Sequence, residues 1–237
     1  MKKYRKVSRE FSKHTINALR YLVKKKIISQ MLGVIAVGKE SRIFLALSPN
    51  GEKLALKIYQ IENPSFKQHV RYILGDYRFR KLGSTWWKIV TLWCSKEYRN
   101  MVRAYRAGIP IPKPIIFKEN ILVMEFIGEN YTPAPLLKEK LPQNLEKAYD
   151  NIIKIIYNLY HKAELIHGDL SEYNILNFNE KLYVIDWSSA VNIYAPNARE
   201  LLFRDIKNIS IFFSKNGVKI KPVESVFREI VGESISQ

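Results

Sequence analysis

The stretch "LIHGDLSEYNILNFNEKLYVIDW", residues 165–187, sets Asp169, Asn174 and Asp186 among runs of Leu, Ile and Val. The spacing is Asp-x4-Asn-x11-Asp. Asparagine and aspartate oxygens can share a hard cation, which leaves the first Asp free to take a proton from a hydroxyl or a water. Mg²⁺ suits such a set better than Zn²⁺, because no Cys/His cluster accompanies it. His167 is expected to be a buried residue that holds the loop through backbone hydrogen bonds, rather than a ligand.

Two charged residues upstream also need an explanation. Glu97 lies seven residues after Val90 and four before Met101, on the apolar stripe of a helix. An unpaired carboxylate there would cost several kcal/mol, so it needs a cation. In "LALKIY", Leu54, Leu56 and Ile58 point to one face of a strand, and Ala55 and Lys57 to the other. Lys57 is the natural partner of Glu97, and the small Ala55 leaves room on that face for a flat ligand. Gly38, in "AVGKES", sits in a tight turn between two strands, where backbone N–H groups could approach a phosphate. A glycine turn, a strand Lys, a helix Glu, a loop Asp with Asn five residues on, and a final metal-binding Asp occur in this order in protein kinases.

The elements that must position these residues can be read from periodicity. Residues 13–27 form an amphipathic helix with Ile16, Leu19, Leu22 and Val23 on one face. Residues 33–59 read as three strands joined by turns at Gly38 and "SPNG". Residues 86–107 form the clearest helix, with Trp86, Val90, Trp93, Cys94, Met101 and Tyr105 as its stripe. Gly108 and "IPIPKPI" end it. Short strands at "IIF" and "ILVMEFI", a helix over 144–163 capped by Asn144, and two closing helices follow. A strand-rich part followed by a helix-rich part implies an α+β, bilobal fold with a ligand cleft between the lobes. The expected divisions are a basic helical extension over 1–30, an N-lobe over 31–127 with a mobile loop at about 60–85, and a C-lobe over 128–237.

Lys and Arg number 39 against 22 Asp and Glu, a formal net charge of +17. That excess favours polyanions such as nucleic acid, a ribosome or an acidic membrane surface. No apolar run approaches the length of a membrane span, and no secretion signal is evident. The single cysteine fits a reducing cytosol.

The chain resembles the RIO family of atypical serine/threonine protein kinases, most closely its archaeal Rio one branch. The stretches that carry the resemblance include "VGKESRIFLAL", "SFKQHVRYILGDYRF", "PAPLLK", "LIHGDLSEYNIL", "IDWSSAV" and "PNARELLFRDIKNISIFFSKNGVK". The resemblance implies a protein-kinase-like fold that uses ATP and Mg²⁺, with Mn²⁺ able to substitute. It makes Asp169 the catalytic Asp, Asn174 and Asp186 the metal ligands, and Lys57 the phosphate-contacting Lys paired with Glu97. Gly38, Lys39, Glu40 and Ser41 become nucleotide contacts. Met124 matches the gatekeeper, and Glu125 and Ile127 match hinge positions that bind adenine through their backbones. A further implication is cytoplasmic work in maturation of the small ribosomal subunit, with ATP hydrolysis through an aspartyl-phosphate at Asp186. Two departures stand out. Family members usually carry Ala where Gly168 stands, and Ser-Gln or Gly-Gln after the metal Asp, where this chain has Trp187, Ser188 and Ser189. Ser65, Ser84 and Thr85 are candidate autophosphorylation sites by loop position. The alternatives are a small-molecule phosphotransferase resembling the aminoglycoside kinases, which also use "HGDL" and "IDW", and a nucleotide-sensing ribosome-binding module.

Overall fold

The structure is a computed structural model that describes residues 11–60 and 86–233. The 60–85 loop and its three candidate phosphorylation sites lie outside the described residues, apart from Gln60. The chain divides into two compact units. The first runs to Tyr98 and resumes at Pro114–Phe126; the second takes Arg99–Lys113 and everything from Ile127.

The first unit is built on an antiparallel five-stranded sheet, β1 (Gln30–Val37), β2 (Ser41–Leu47), β3 (Lys53–Tyr59), β4 (Pro114–Lys118) and β5 (Ile121–Glu125), in the order β1-β2-β3-β5-β4. Strand alternation gives it two chemically different faces. Phe44, Ala46, Leu54, Leu56, Ile58, Ile121 and Val123 pack with Ala18 and Leu22 of helix α1 (Lys13–Lys24) in one apolar cluster. The opposite face carries Lys57, flanked across the strands by Ile43 and Leu122, and Ala55, flanked by Leu45 and Met124.

Helix α1 is rotated from the expected arrangement. Its buried residues are Thr15, Ala18 and Leu22, while Val23 is 47% exposed. Hydrophobicity alone centres the face on the wrong residues, because the small Ala18 allows close approach and Thr15 is held by a polar contact. Asn120 donates Nδ2–H to Thr15 Oγ1 (2.9 Å) and to the Tyr59 carbonyl (2.9 Å).

Helix α2 (Trp86–Arg106) spans the division between the units. Its buried line is Val90, Cys94, Glu97, Met101 and Ala104, at alternating spacings of four and three. Tyr105, expected on that stripe, is exposed, because one residue past Ala104 turns it about 100° away. Gly108 ends the helix at φ +77°, with Ile109 N–H donating to the Ala104 carbonyl.

In the second unit, α3 (Leu145–His161), α4 (Ala198–Lys215) and α5 (Val223–Val231) pack together. Asn144 caps α3 as expected, its side chain accepting from Lys147 N–H at 2.8 Å. Two-residue strands β6 (Gly128–Glu129) and β7 (Thr132–Pro133) pair, as do β8 (Leu165–Ile166) and β11 (Val191–Asn192). Strands β9 (Ile175–Phe178) and β10 (Lys181–Val184) form a hairpin. Loops leaving β8 and β10 carry Asp169 and Asp186.

Candidate active site

In the first unit, Lys57 and Glu97 meet as their burial requires. Lys57 Nζ donates to Glu97 Oε1 at 2.8 Å, and the two residues are only 5% and 1% exposed. The strand lysine and the helix glutamate therefore neutralise each other out of water. Glu97 has a second partner that periodicity could have revealed. Tyr59 lies two residues after Lys57 on the same strand face, and its buried hydroxyl donates to Glu97 Oε2. One turn before Glu97, burial pushes the Cys94 thiol well above its ordinary range, and the Glu97 charge adds to the effect. Cys94 is thus a packing residue and not a nucleophile.

Tyr59→Phe removes a hydrogen bond to a buried charge. We expect it to lower the unfolding free energy by about 1.5–3 kcal/mol in urea melts. Lys57→Met, which takes the ammonium away from the buried Glu97 carboxylate, should cost more, about 3–5 kcal/mol.

The glycine turn is tight. Gly38 N–H donates to the Ser41 carbonyl at 2.9 Å, and Glu40 accepts from Gln60 N–H at 2.8 Å. Gly38's own N–H thus closes the turn, and Lys39 stands at its tip. Met124 lies beside Ala55 on the Lys57 face of the sheet. Glu125 ends β5 with an exposed side chain. Ile127 is buried; its carbonyl accepts from Ala134 N–H, and its own N–H has no partner among the described residues.

In the second unit, the loop after β8 is held from beneath. Asp205, 2% exposed on α4, accepts from Gly168 N–H (2.7 Å) through Oδ2 and from Leu170 N–H (2.8 Å) through Oδ1. The Arg204 guanidinium donates to the Gly168 carbonyl, and Asn208 donates to the Leu170 carbonyl at 3.3 Å. Residues 168 and 170 are therefore fixed and buried, while Asp169 between them is exposed. Burial pushes the Asp205 carboxyl above its usual range; His167, the two amides and Arg204 pull it back.

Gly168 has φ +78°, and a Cβ there would stand 2.9 Å from the Ser189 carbonyl oxygen. The departure from the family's usual Ala is thus required by this backbone. His167 is buried, as expected, and its Nε2–H donates to the Ile185 carbonyl at 3.1 Å.

Asn174 is oriented by Asp169, donating Nδ2–H to its carbonyl (2.7 Å) and to its Oδ2 (3.2 Å). Ile185 N–H donates to the Asn174 carbonyl at 2.9 Å, which ties the Asp186 loop to the Asp169 loop. Asp186 is exposed at φ +63°, a left-handed conformation that Asp tolerates better than most residues. Its Oδ1 accepts from the Ser188 hydroxyl at 2.8 Å. Trp187 is wholly buried, edge-on to His167 at 5.1 Å, and donates to the Val184 carbonyl. Asn100 of α2 donates to the Trp187 and Ala190 carbonyls. The structure thus brings together Lys57 with Glu97, and Asp169 with Asn174 and Asp186.

Asp205, Asn100 and Tyr59 were not anticipated. Asp205 had a signal of the Glu97 kind, since it sits among Leu202, Ile206 and Ile209 on the buried face of its helix. Asn100, half-buried beside a buried stripe, had none.

Comparison with known proteins agrees with this geometry. The RIO domain family model matches residues 42–226. The chain is 37% identical over 223 residues to the RIO-type serine/threonine-protein kinase Rio1 of Haloferax volcanii, covering 94% of this chain and 76% of that protein. It is 37% identical over 220 residues to serine/threonine-protein kinase rio1 of Dictyostelium discoideum, covering 91% of this chain but only 38% of that longer protein. Among solved structures, the Rio2 kinase–ADP/Mg²⁺–phosphoaspartate complex from Chaetomium thermophilum superposes with a TM-score of 0.70 at 27% identity, over 89% of this chain and 64% of that one. An exposed loop Asp between two clamped amides, a buried Lys–Glu pair and a family match over most of the sequence lead to one conclusion: the chain belongs to the RIO family of serine/threonine-protein kinases.

Proposed function

We propose that this protein is an ATP- and Mg²⁺-dependent atypical serine/threonine kinase and ATPase that acts in the cytoplasm on small ribosomal subunit precursors. The observation that carries the chemistry is Asp169, exposed between two amides fixed by Asp205, with Asn174 donating to its carboxylate. This arrangement suits a group that accepts a proton from a hydroxyl or water. Lys57, held by Glu97, which Tyr59 anchors in turn, is a fixed ammonium for phosphate oxygens.

Asn174 Oδ1 and the Asp186 carboxylate are hard oxygen donors, the chemistry that Mg²⁺ takes when it shares its shell with phosphates and water. When bound, Mg²⁺ supplies positive charge to the phosphate oxygens. Asp186 carries a second proposed role, as acceptor of the phosphoryl group. A bond forms from its carboxylate oxygen to the γ-phosphorus as the bond to ADP breaks. Water then hydrolyses the acyl phosphate and gives its proton to Asp169. The structural neighbour named as a phosphoaspartate complex supports this route.

The test measures ATP turnover with and without small ribosomal subunits for the wild type, Asp169→Ala and Asp186→Ala. We expect stimulation of the wild type by subunits and a base-labile, hydroxylamine-sensitive phosphate that Asp186→Ala lacks. Turnover stimulated by an aminoglycoside but not by subunits would point instead to a small-molecule phosphotransferase.

A further inference from the structure

We propose that the exposed face of α1 and the turn after it form a binding surface for the phosphate backbone of single-stranded RNA. Between Glu10 and Glu40 the sequence carries no Asp or Glu, although it holds Lys13, Arg20, Lys24, Lys25, Lys26 and Lys39. With its apolar side against the sheet, α1 leaves Arg20, Lys24, Lys25 and Lys26 exposed. No ion pair neutralises these four among the described residues. Tyr21, also exposed, sits among these charges, with Lys118 Nζ 5.0 Å and Lys25 Nζ 5.9 Å from its ring centroid. Lys118 also reaches Glu119 at 3.7 Å, the one carboxylate that meets this group among the described residues.

The backbone indicates that the charge is kept at a cost to stability. Ile27 N–H donates to the Leu22 carbonyl and Lys26 N–H to the Val23 carbonyl, the pattern of a helix that ends on a left-handed residue. Glycine is the usual occupant of that position; here it is Lys26, at φ +57°. Arg20 and Lys24 are like charges four apart on one helix face, which destabilises a helix. The helix dipole accounts for a cation in the last turn but not for Arg20 or Lys118. Clustered cations around an accessible aromatic ring suit a nucleic acid strand, with phosphates on the lysines and a base on the ring. An acidic membrane would call for an apolar face among the charges, and the large exposed hydrophobics of α1 are only Tyr21 and Val23 among the described residues.

The proposal deepens the ribosomal reading and rests on it only for the source of the RNA. The test is fluorescence anisotropy of labelled oligo(U) at several KCl concentrations, with the wild type and a Lys24→Ala/Lys25→Ala/Lys26→Gly variant. The variant should bind at least tenfold more weakly, with the slope of log K against log salt reduced by about 2. Its melting temperature should hold or rise, since glycine suits position 26, and its RNA-free ATP turnover should equal the wild type's. Tyr21→Ala should weaken oligo(U) more than duplex RNA. Unchanged affinity and slope in the triple variant, or tighter wild-type binding to phosphatidylserine vesicles than to oligo(U), would overturn the proposal. Co-sedimentation with small subunits separates the two readings: a wild type that binds oligo(U) through this face but does not sediment with subunits sinks the ribosomal role and leaves the surface standing.

Discussion

Asp169→Ala should leave the protein folded and able to bind ATP, while turnover is expected to fall by about 10²–10⁴-fold, the usual worth of a positioned proton acceptor. The expectation of normal folding follows from burial. The Asp169 side chain is exposed and, among the described residues, accepts only a 3.2 Å hydrogen bond from Asn174. The contacts that hold the loop are made by the backbones of residues 168 and 170, which the substitution leaves in place. Asn174 also donates to the Asp169 carbonyl at 2.7 Å, so it too stays oriented. Retained ATP binding follows because Lys57 is positioned independently of Asp169, by Glu97, which Tyr59 holds in turn. Calorimetry for ATP affinity, thermal melting and phosphate release together check the prediction. Turnover within tenfold of the wild type would remove Asp169 from the proton-acceptor role.

The residues of this site were legible in the sequence to the extent that they break a pattern. Glu97 interrupts an apolar helical stripe and Lys57 interrupts a strand face; each anomaly implied the other, and the 2.8 Å pair is the result. Asp169, Asn174 and Asp186 stood out as polar residues between runs that became β8, β9 and β10. The sheet faces followed from alternation, which is why Ala55 and Lys57 share a side. What stayed hidden depends on approach distances and hydrogen-bond direction. The rotation of α1 is set by Ala18 and by Thr15 meeting Asn120, and a hydrophobicity pattern sees neither. Gly168 looked like a departure from its family, yet its left-handed backbone and the closeness of Ser189 make it a requirement that only coordinates display. Tyr59 and Asp205 lay between these cases: each occupied a position whose periodicity placed a polar atom in the core, Tyr59 against the Glu97 carboxylate and Asp205 against the amides on either side of Asp169.

Asp205→Asn should be the most damaging change made at a residue that touches no substrate. Asp205 uses both carboxylate oxygens, one for each amide flanking Asp169. Asparagine offers a single oxygen, so its NH₂ group must face the other amide, donor against donor. An orphaned buried amide costs about 1–3 kcal/mol, and urea melts should show a loss of that size. Activity should fall further than stability predicts. With one anchor gone, the peptide that carries Asp169 can pivot, and a displacement of about 1 Å at a reacting group is enough to cost about 10²-fold in rate. The variant is therefore expected to turn over ATP about 10²-fold more slowly at temperatures where melting curves show it fully folded, with its ATP affinity unchanged. Asn208→Ala is the control, since it removes only the 3.3 Å bond to the Leu170 carbonyl and leaves both amides satisfied. It should lose no more than a few-fold in rate. If Asp205→Asn and Asn208→Ala behave alike, the clamp does not set the position of Asp169. If Asp205→Asn loses rate only in proportion to its unfolded fraction, Asp205 is a stabilising residue and nothing more.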